Sequence, residues 1–242
     1  MEPPATAPVS GSARPGGRDV PAQTRGERKE RTRRAIMDAA LVLCEDSSLV
    51  ALSLRQVAKE VGIVPTAFYR HFASIEDLGL ALVEDSFASL RAMLRDVRRT
   101  DPDYTDIIDS SITVLVEHCR SRRAHFAFIA RERSAGPPAV RSAILHQIEL
   151  VERELATDLA RLTDPDFWST EDLGVLANLI VTLLVGTTEA ILGARPDAEE
   201  VIAERARTQL RMLLVGSLRW RSSEHEESRR HAAVTPMRPG RG

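Results

Sequence analysis

Apolar positions first fall into helical register at Ile36, Ala39, Ala40 and Leu43, an i, i+3, i+4, i+7 stripe on one face of a helix. Leu54, Val57, Ala58 and Val61 repeat the stripe in a shorter segment. Ser53 with Gln56 three residues on supplies a capping box at its start, and Gly62 ends it. Pro65 suits the first turn of a third, still shorter helix, where its missing N–H costs nothing, and Phe68 with Phe72 marks the buried side. Ser74 and Asp77 then open a long helix running to about Arg99. Past the break at Asp101-Pro102 the pattern predicts helices over about 104–120, 122–132, 137–163, 170–193 and 197–222. Gly136-Pro137-Pro138, Asp164-Pro165 and Arg195-Pro196 separate the later ones. Three short helices followed by six longer, more apolar ones predict an all-α fold, with a small three-helix domain over 25–73 and a larger helical body over 74–222.

Composition sharpens the two ends of this picture. Residues 1–24 hold Pro, Gly, Ser and Ala with almost no large apolar side chain, too little to offset the entropy of ordering, so a disordered tail is expected. Residues 223–242 have the same character and are expected to form a flexible C-terminal tail. The formal charge of −2 hides an asymmetry: residues 25–72 carry nine Lys or Arg against six Asp or Glu, and the remainder is acidic. Only the N-terminal part is built for a polyanion. We read no apolar run as approaching the roughly 20 residues needed to cross a bilayer, and no continuous apolar core of a secretory signal, so a cytoplasmic protein without a membrane partner is expected.

The chemistry concentrates in SLRQVAKEVGIVPTAFYRHF. Ala58 and Gly62 have the spacing of a helix-turn-helix, in which a small residue lets two helices approach and Gly allows the sharp turn. Val57, Val61, Ile63 and Phe68 supply apolar contacts that fix the angle between them. The face left over is Thr66, Ala67, Tyr69, Arg70 and His71, side chains that are short or hydrogen-bonding, as suits the start of a helix entering a major groove. A chance pairing of two amphipathic segments would look the same. The basic run from Arg25 to Arg34 before it, with Arg28, Arg33 and Arg34 available to phosphates, and the long helix after it favour DNA.

In the body, Leu173, Leu176, Leu179, Ile180, Leu183 and Leu184 make a helix apolar around much of its circumference. The last helix, with Val201, Ile202, Leu210, Leu213, Leu214 and Trp220, is similar. Either both are monomer core or both pair with a second copy, and the short half-site of one helix-turn-helix favours a homodimer. Cys44 and Cys119 fall in helical patterns as small buried apolar groups. His118, Cys119 and His125 do not have the spacing of a zinc site, so no metal is expected. No Gly-rich phosphate loop, GxSxG elbow or HExxH occurs, so neither a cofactor nor an enzymatic activity is expected. Phe126, Phe128, Ile129 and Leu183 are candidates to line an effector pocket or to be plain core. Arg131, Arg133 and Arg141 flank the Gly136-Pro137-Pro138 break, either as a phosphate clamp at the pocket mouth or in surface ion pairs with Glu132 and its neighbours.

From TRRAIMDAALVLCE through LSLRQVAKEVGIVPTAFYRHFASIEDLGLALVED the chain closely resembles the DNA-binding region of the TetR family of one-component regulators, over roughly residues 28–85. The resemblance implies a nine-helix, mostly antiparallel homodimer that binds palindromic operator DNA and carries a small effector in its C-terminal body. FYRHF and RERSAG at 131–136 look most like the repressors of unsaturated fatty acid synthesis and desaturation, the FabR and DesT type, which implies control of lipid metabolism by a long-chain fatty acyl-CoA. Carried over residue by residue, the pattern assigns Thr66, Tyr69 and His71 to the operator. Tyr69 and His71 are expected on phosphates, Thr66 and Ala67 near base edges, and Ser53 with Arg55 at a helix N-terminus facing a phosphate. His71 has a second reading, as a capping or packing residue. Another effector, such as a drug or hydrophobic metabolite, or an unregulated DNA-organising protein, are the competing functions.

Overall fold

The computed structural model describes residues 24–100, 106–162 and 168–222; both expected tails, apart from Thr24, lie outside them. Within the described residues the chain is helical and has no strand. α1 spans Arg25–Asp46, α2 Leu54–Val61, α3 Pro65–Phe68, α4 Ile75–Thr100 and α5 Ile107–Ser121. α6 spans Arg123–Ala135, α7 Pro138–Leu162, α8 Thr170–Gly193 and α9 Glu199–Ser217, with short 3-10 turns at Leu49–Ala51 and Pro196–Ala198.

α1 begins earlier than its apolar stripe because Thr24 and Glu27 form a capping box. The Thr24 hydroxyl accepts the Glu27 N–H at 3.2 Å, and the Glu27 carboxylate accepts the Thr24 N–H at 2.8 Å. The basic run is therefore the first turns of a helix, and its side chains radiate from a rigid rod. α4 is capped in the same manner: Ser74 Oγ accepts from the Asp77 N–H at 3.0 Å, and Asp77 Oδ2 accepts from the Ala73 N–H at 2.9 Å. α9 ends at Ser217, short of the expected 222, and the chain beyond it ties back to α8. The Trp220 indole donates to Asp172 Oδ2 at 3.0 Å, and the Ser222 hydroxyl bonds the same oxygen.

Among the described residues two apolar cores result. The first joins Ile36, Ala40, Leu49, Val57, Phe68 and Phe72 of the N-terminal helices to Leu78, Leu82 and Phe87 of α4, Phe128 of α6, and Val140 and Ile144 of α7. The core under the N-terminal helices is thus completed by the body, across the expected division near residue 73. The second gathers Ile112, Leu115 and Cys119 of α5, Leu176 and Ile180 of α8, and Ala203, Ala206 and Leu210 of α9. Arg207 reinforces the α5–α9 seam, donating to Glu204 at 2.5 Å and Glu200 at 3.0 Å and lying 3.5 Å from Asp109.

α8 corrects one expectation. Over Thr170–Gly193 it is long and apolar enough to cross a membrane by composition, with a mean hydropathy of 1.9 in its most apolar window. A third of that window, 33%, is buried by the rest of the chain. Val175 and Leu179 on α8 and Val201, Met212 and Val215 on α9 are exposed. Between these helices lies an open groove of about 680 Å³ lined by Leu179, Leu183, Gly186, Ile202, Met212 and Leu213.

Candidate DNA interface and effector cavity

The turn between α2 and α3 is set by local chemistry. Ser53 Oγ accepts the Gln56 N–H at 3.2 Å and Gln56 Oε1 accepts the Ser53 N–H at 2.9 Å, completing the capping box that opens α2. Gly62 takes φ +72°, a left-handed conformation that L side chains rarely adopt, and its N–H closes on Lys59 while that of Ile63 reaches Ala58. Pro65 sits in the first turn of α3. Val57, Ala58 and Phe68 are fully buried and Val61 and Ile63 half-buried, so α3 is pinned by its inner face.

The outer face carries the predicted residues. Thr66, Tyr69 and Arg70 are exposed, Tyr69 at 62%, and Ala67 is half-buried. Ser53 and Arg55 are exposed at the start of α2, and Arg28 is exposed on α1. Arg34 is exposed and paired with Asp85 at 2.8 Å. Arg33 has an inward task that the sequence did not suggest. Its Nη1 donates to the His71 carbonyl at 2.9 Å and its guanidinium lies 4.2 Å over the Phe72 ring, clamping the end of α3 to α1. His71 is half-buried, with Nδ1 buried and without a hydrogen-bond partner. Burial, then the charges of Lys29, Arg33 and Arg70, hold its pKa below the usual histidine value.

In the body a partly open apolar cavity of about 90 Å³ lies among α4, α6, α7 and α8. Phe126 and Ile129, two of the candidate pocket residues, line it beside Phe87, Ile148, Val181 and Val185. Phe128 points instead into the first core, fully buried, and Leu183 lines the α8–α9 groove. The three arginines do not form one clamp. Arg133 reaches the cavity rim and pairs with Glu189 at 2.5 Å. Arg131 donates to the Glu45 carbonyl at 2.7 Å, and Arg141 to the Gly136 carbonyl at 2.9 Å. Glu132, expected in surface ion pairs, is fully buried and bonds Ser48 and the Leu49 N–H. The position of Glu132 between two arginines hid this, since charged triplets ordinarily mark a solvated face.

The remaining titratable candidates are held separately. His118 Nδ1 lies 3.1 Å from the Val114 carbonyl one turn back, while His125 Nδ1 shares a hydrogen bond of 3.1 Å with Ser86 and lies 3.9 Å from Asp85. Both cysteines are buried, and burial pushes the Cys44 thiol up to about 12 and the Cys119 thiol to about 11.

Residues 36–82 match the family described as bacterial regulatory proteins, tetR family. Solved structures with the same fold include a transcriptional regulator from Rhodococcus sp. Rha1, at 20% identity and TM-score 0.61 over 78% of this chain and 96% of that one. A TetR-family transcriptional regulator from Streptomyces coelicolor matches at 19% identity and TM-score 0.62, over 77% and 96%. AibR, solved in complex with isovaleryl coenzyme A and operator DNA, matches at 16% identity and TM-score 0.58, over 74% and 97%. Residues 36–82 thus match the DNA-binding region of the tetR family, and the described residues as a whole share the fold of these solved structures.

Proposed function

We propose that this protein is a cytoplasmic repressor that binds a palindromic operator as a homodimer and is controlled by an apolar effector entering the cavity among α4, α6, α7 and α8. The observation that carries the DNA reading is the α2–turn–α3 unit, in which a buried inner face holds Thr66, Tyr69 and Arg70 outward on a helix preceded by the basic turns of α1. Tyr69 and His71 meet phosphates, Thr66 and Ala67 approach base edges, and Arg28, Arg34, Ser53 and Arg55 neutralise or cap neighbouring phosphates. The dimer forms through α8 and α9, whose exposed Leu179, Met212 and Val215 then become buried.

The effector we propose is a long-chain fatty acyl-CoA, with lipid-metabolism genes as the targets, as in the FabR and DesT type. Its support is the sequence resemblance, the apolar lining of the cavity and the isovaleryl coenzyme A held by AibR. The geometry sets a condition on it. At about 90 Å³ the cavity is smaller than the roughly 150 Å³ that accommodates benzene, so an acyl chain requires α6 or α8 to move and the Arg133–Glu189 pair to open. A compact hydrophobic metabolite or drug makes a smaller demand and is the second reading. Titrating the complex between the protein and a selected operator duplex with palmitoyl-CoA, oleoyl-CoA and free CoA separates these. The acyl-CoA reading expects a shift in operator affinity that depends on chain length and is absent with free CoA; no shift with any acyl-CoA leaves the compact effector.

A further inference from the structure

One helix of the body touches both the cavity and the chain leading into the helix-turn-helix. α6 lines the cavity with Phe126, Ile129, Ala130 and Arg133, and on the adjoining face carries Glu132. Ile129 and Glu132 stand three residues apart, one turn along the same rod. The Glu132 carboxylate is fully buried; Oε1 accepts the Leu49 N–H at 3.0 Å and Oε2 accepts the Ser48 hydroxyl at 3.2 Å. Ser48 caps, and Leu49 opens, the 3-10 turn that joins α1 to the Ser53 cap of α2. A buried carboxylate is costly unless its oxygens are satisfied, and here part of what satisfies it is a backbone amide of that linker.

The surroundings leave this contact little freedom. Leu49 fills a notch over Gly79 of α4, where an added Cβ would lie 2.3 Å from Leu49 Cδ2 and 2.9 Å from Val140 Cγ2. Gly136, just past α6, has no room for a Cβ either, which would meet the Glu132 carbonyl at 2.6 Å and its Oε2 at 2.8 Å. Arg131, next on α6, holds the Glu45 carbonyl near the end of α1. Two successive residues of α6 therefore grip the two sides of the α1–α2 junction.

We propose that Glu132 is the positioning residue that couples the body cavity to the reading head: filling the cavity displaces α6, draws the carboxylate off the Leu49 amide, and releases the linker that sets the placement of α2 and α3. This rests on the reading of the cavity as the effector site. It predicts that the latched linker and the enlarged cavity are alternatives, so whatever favours one disfavours the other.

The test fills the cavity from inside the protein and so needs no effector. Val185→Phe enlarges a side chain that lines the cavity from α8, and Val185→Leu does so by one methylene if the larger ring prevents folding. Amide hydrogen exchange is followed at residues 48–52 in the full-length protein, with the amides of α7 as an internal reference. The expected result is at least tenfold faster exchange at Leu49 in the cavity-filled variant, with α7 unchanged. Glu132→Ala alone shows the same rise, the double variant shows no further rise, and Glu132→Gln, which keeps an acceptor for the Leu49 N–H, restores most of the response to filling. A Glu132 that merely staples the fold predicts additive effects. Additivity, or unchanged Leu49 exchange in a folded cavity-filled variant, overturns the proposal. Effector titrations that fail while the filled variant still frees Leu49 would instead count against the effector reading alone.

Discussion

His71 shows how much one side chain can report. Its Nδ1 is buried without a partner and its pKa is held below the ordinary value, chiefly by burial, so it is neutral at pH 7 in the free protein. The proposed contact with a DNA phosphate would favour the charged form, so binding would take up a proton. Operator affinity is therefore expected to rise as the pH falls from about 7.5 towards 6, and the rise to vanish in His71→Ala; fluorescence anisotropy at matched ionic strength measures it. Stability runs the other way. His71 and His125 both have folded pKa values below the unfolded value near 6.5, so the unfolded chain binds more protons below that pH. Their stability is intact above about 6.5 and lost as the pH falls through the folded values. Arg33 and Arg28 separate in the same way. Arg33→Ala should lower stability by about 1–2 kcal/mol in urea unfolding, through loss of the Phe72 stacking and the His71 carbonyl bond. Arg28→Ala should leave stability unchanged and reduce the slope of log affinity against log salt by about 1.

Among elements, the capped helices and their breaks were legible because each signal is local: Ser53 with Gln56, Gly62, Pro65, and Ser74 with Asp77 act within one turn. The Thr24–Glu27 box is equally local but precedes a polar stretch, so an apolar stripe could not find it. The inward roles of Arg33 and Glu132 were not legible, since each depends on a partner 38 or 83 residues away in sequence. The arginines around Gly136 looked convergent for the same reason; a linear spacing does not say which face of α6 or α7 each occupies. Gly62 offers the sharpest test of the turn. Gly62→Ala places an L side chain at φ +72° and should destabilise the protein by about 1–2 kcal/mol in equilibrium unfolding, although nothing lies within 4 Å of the new Cβ.

For the whole molecule, the proposed second copy would both cover the exposed apolar faces of α8 and α9 and supply the second reading head that one helix-turn-helix lacks. Met212→Glu puts a charge in the proposed seam, at a cost of about 3 kcal/mol if it is buried unpaired. Sedimentation equilibrium should then show monomers where the parent is dimeric, with the helical content intact.

The function proposed for the molecule is sequence-specific reading of DNA by a two-fold pair of heads. Selection of bound duplexes from a random library, followed by competition titration of the enriched sequence against unselected DNA at physiological salt, tests it most directly. The expected result is an inverted repeat whose half-sites lie about 34–36 Å apart, or a multiple of one helical turn, bound at least ~10³-fold more tightly than unselected duplex. Recovery of no common sequence, with equal affinity for every duplex and a dependence on salt alone, would contradict it.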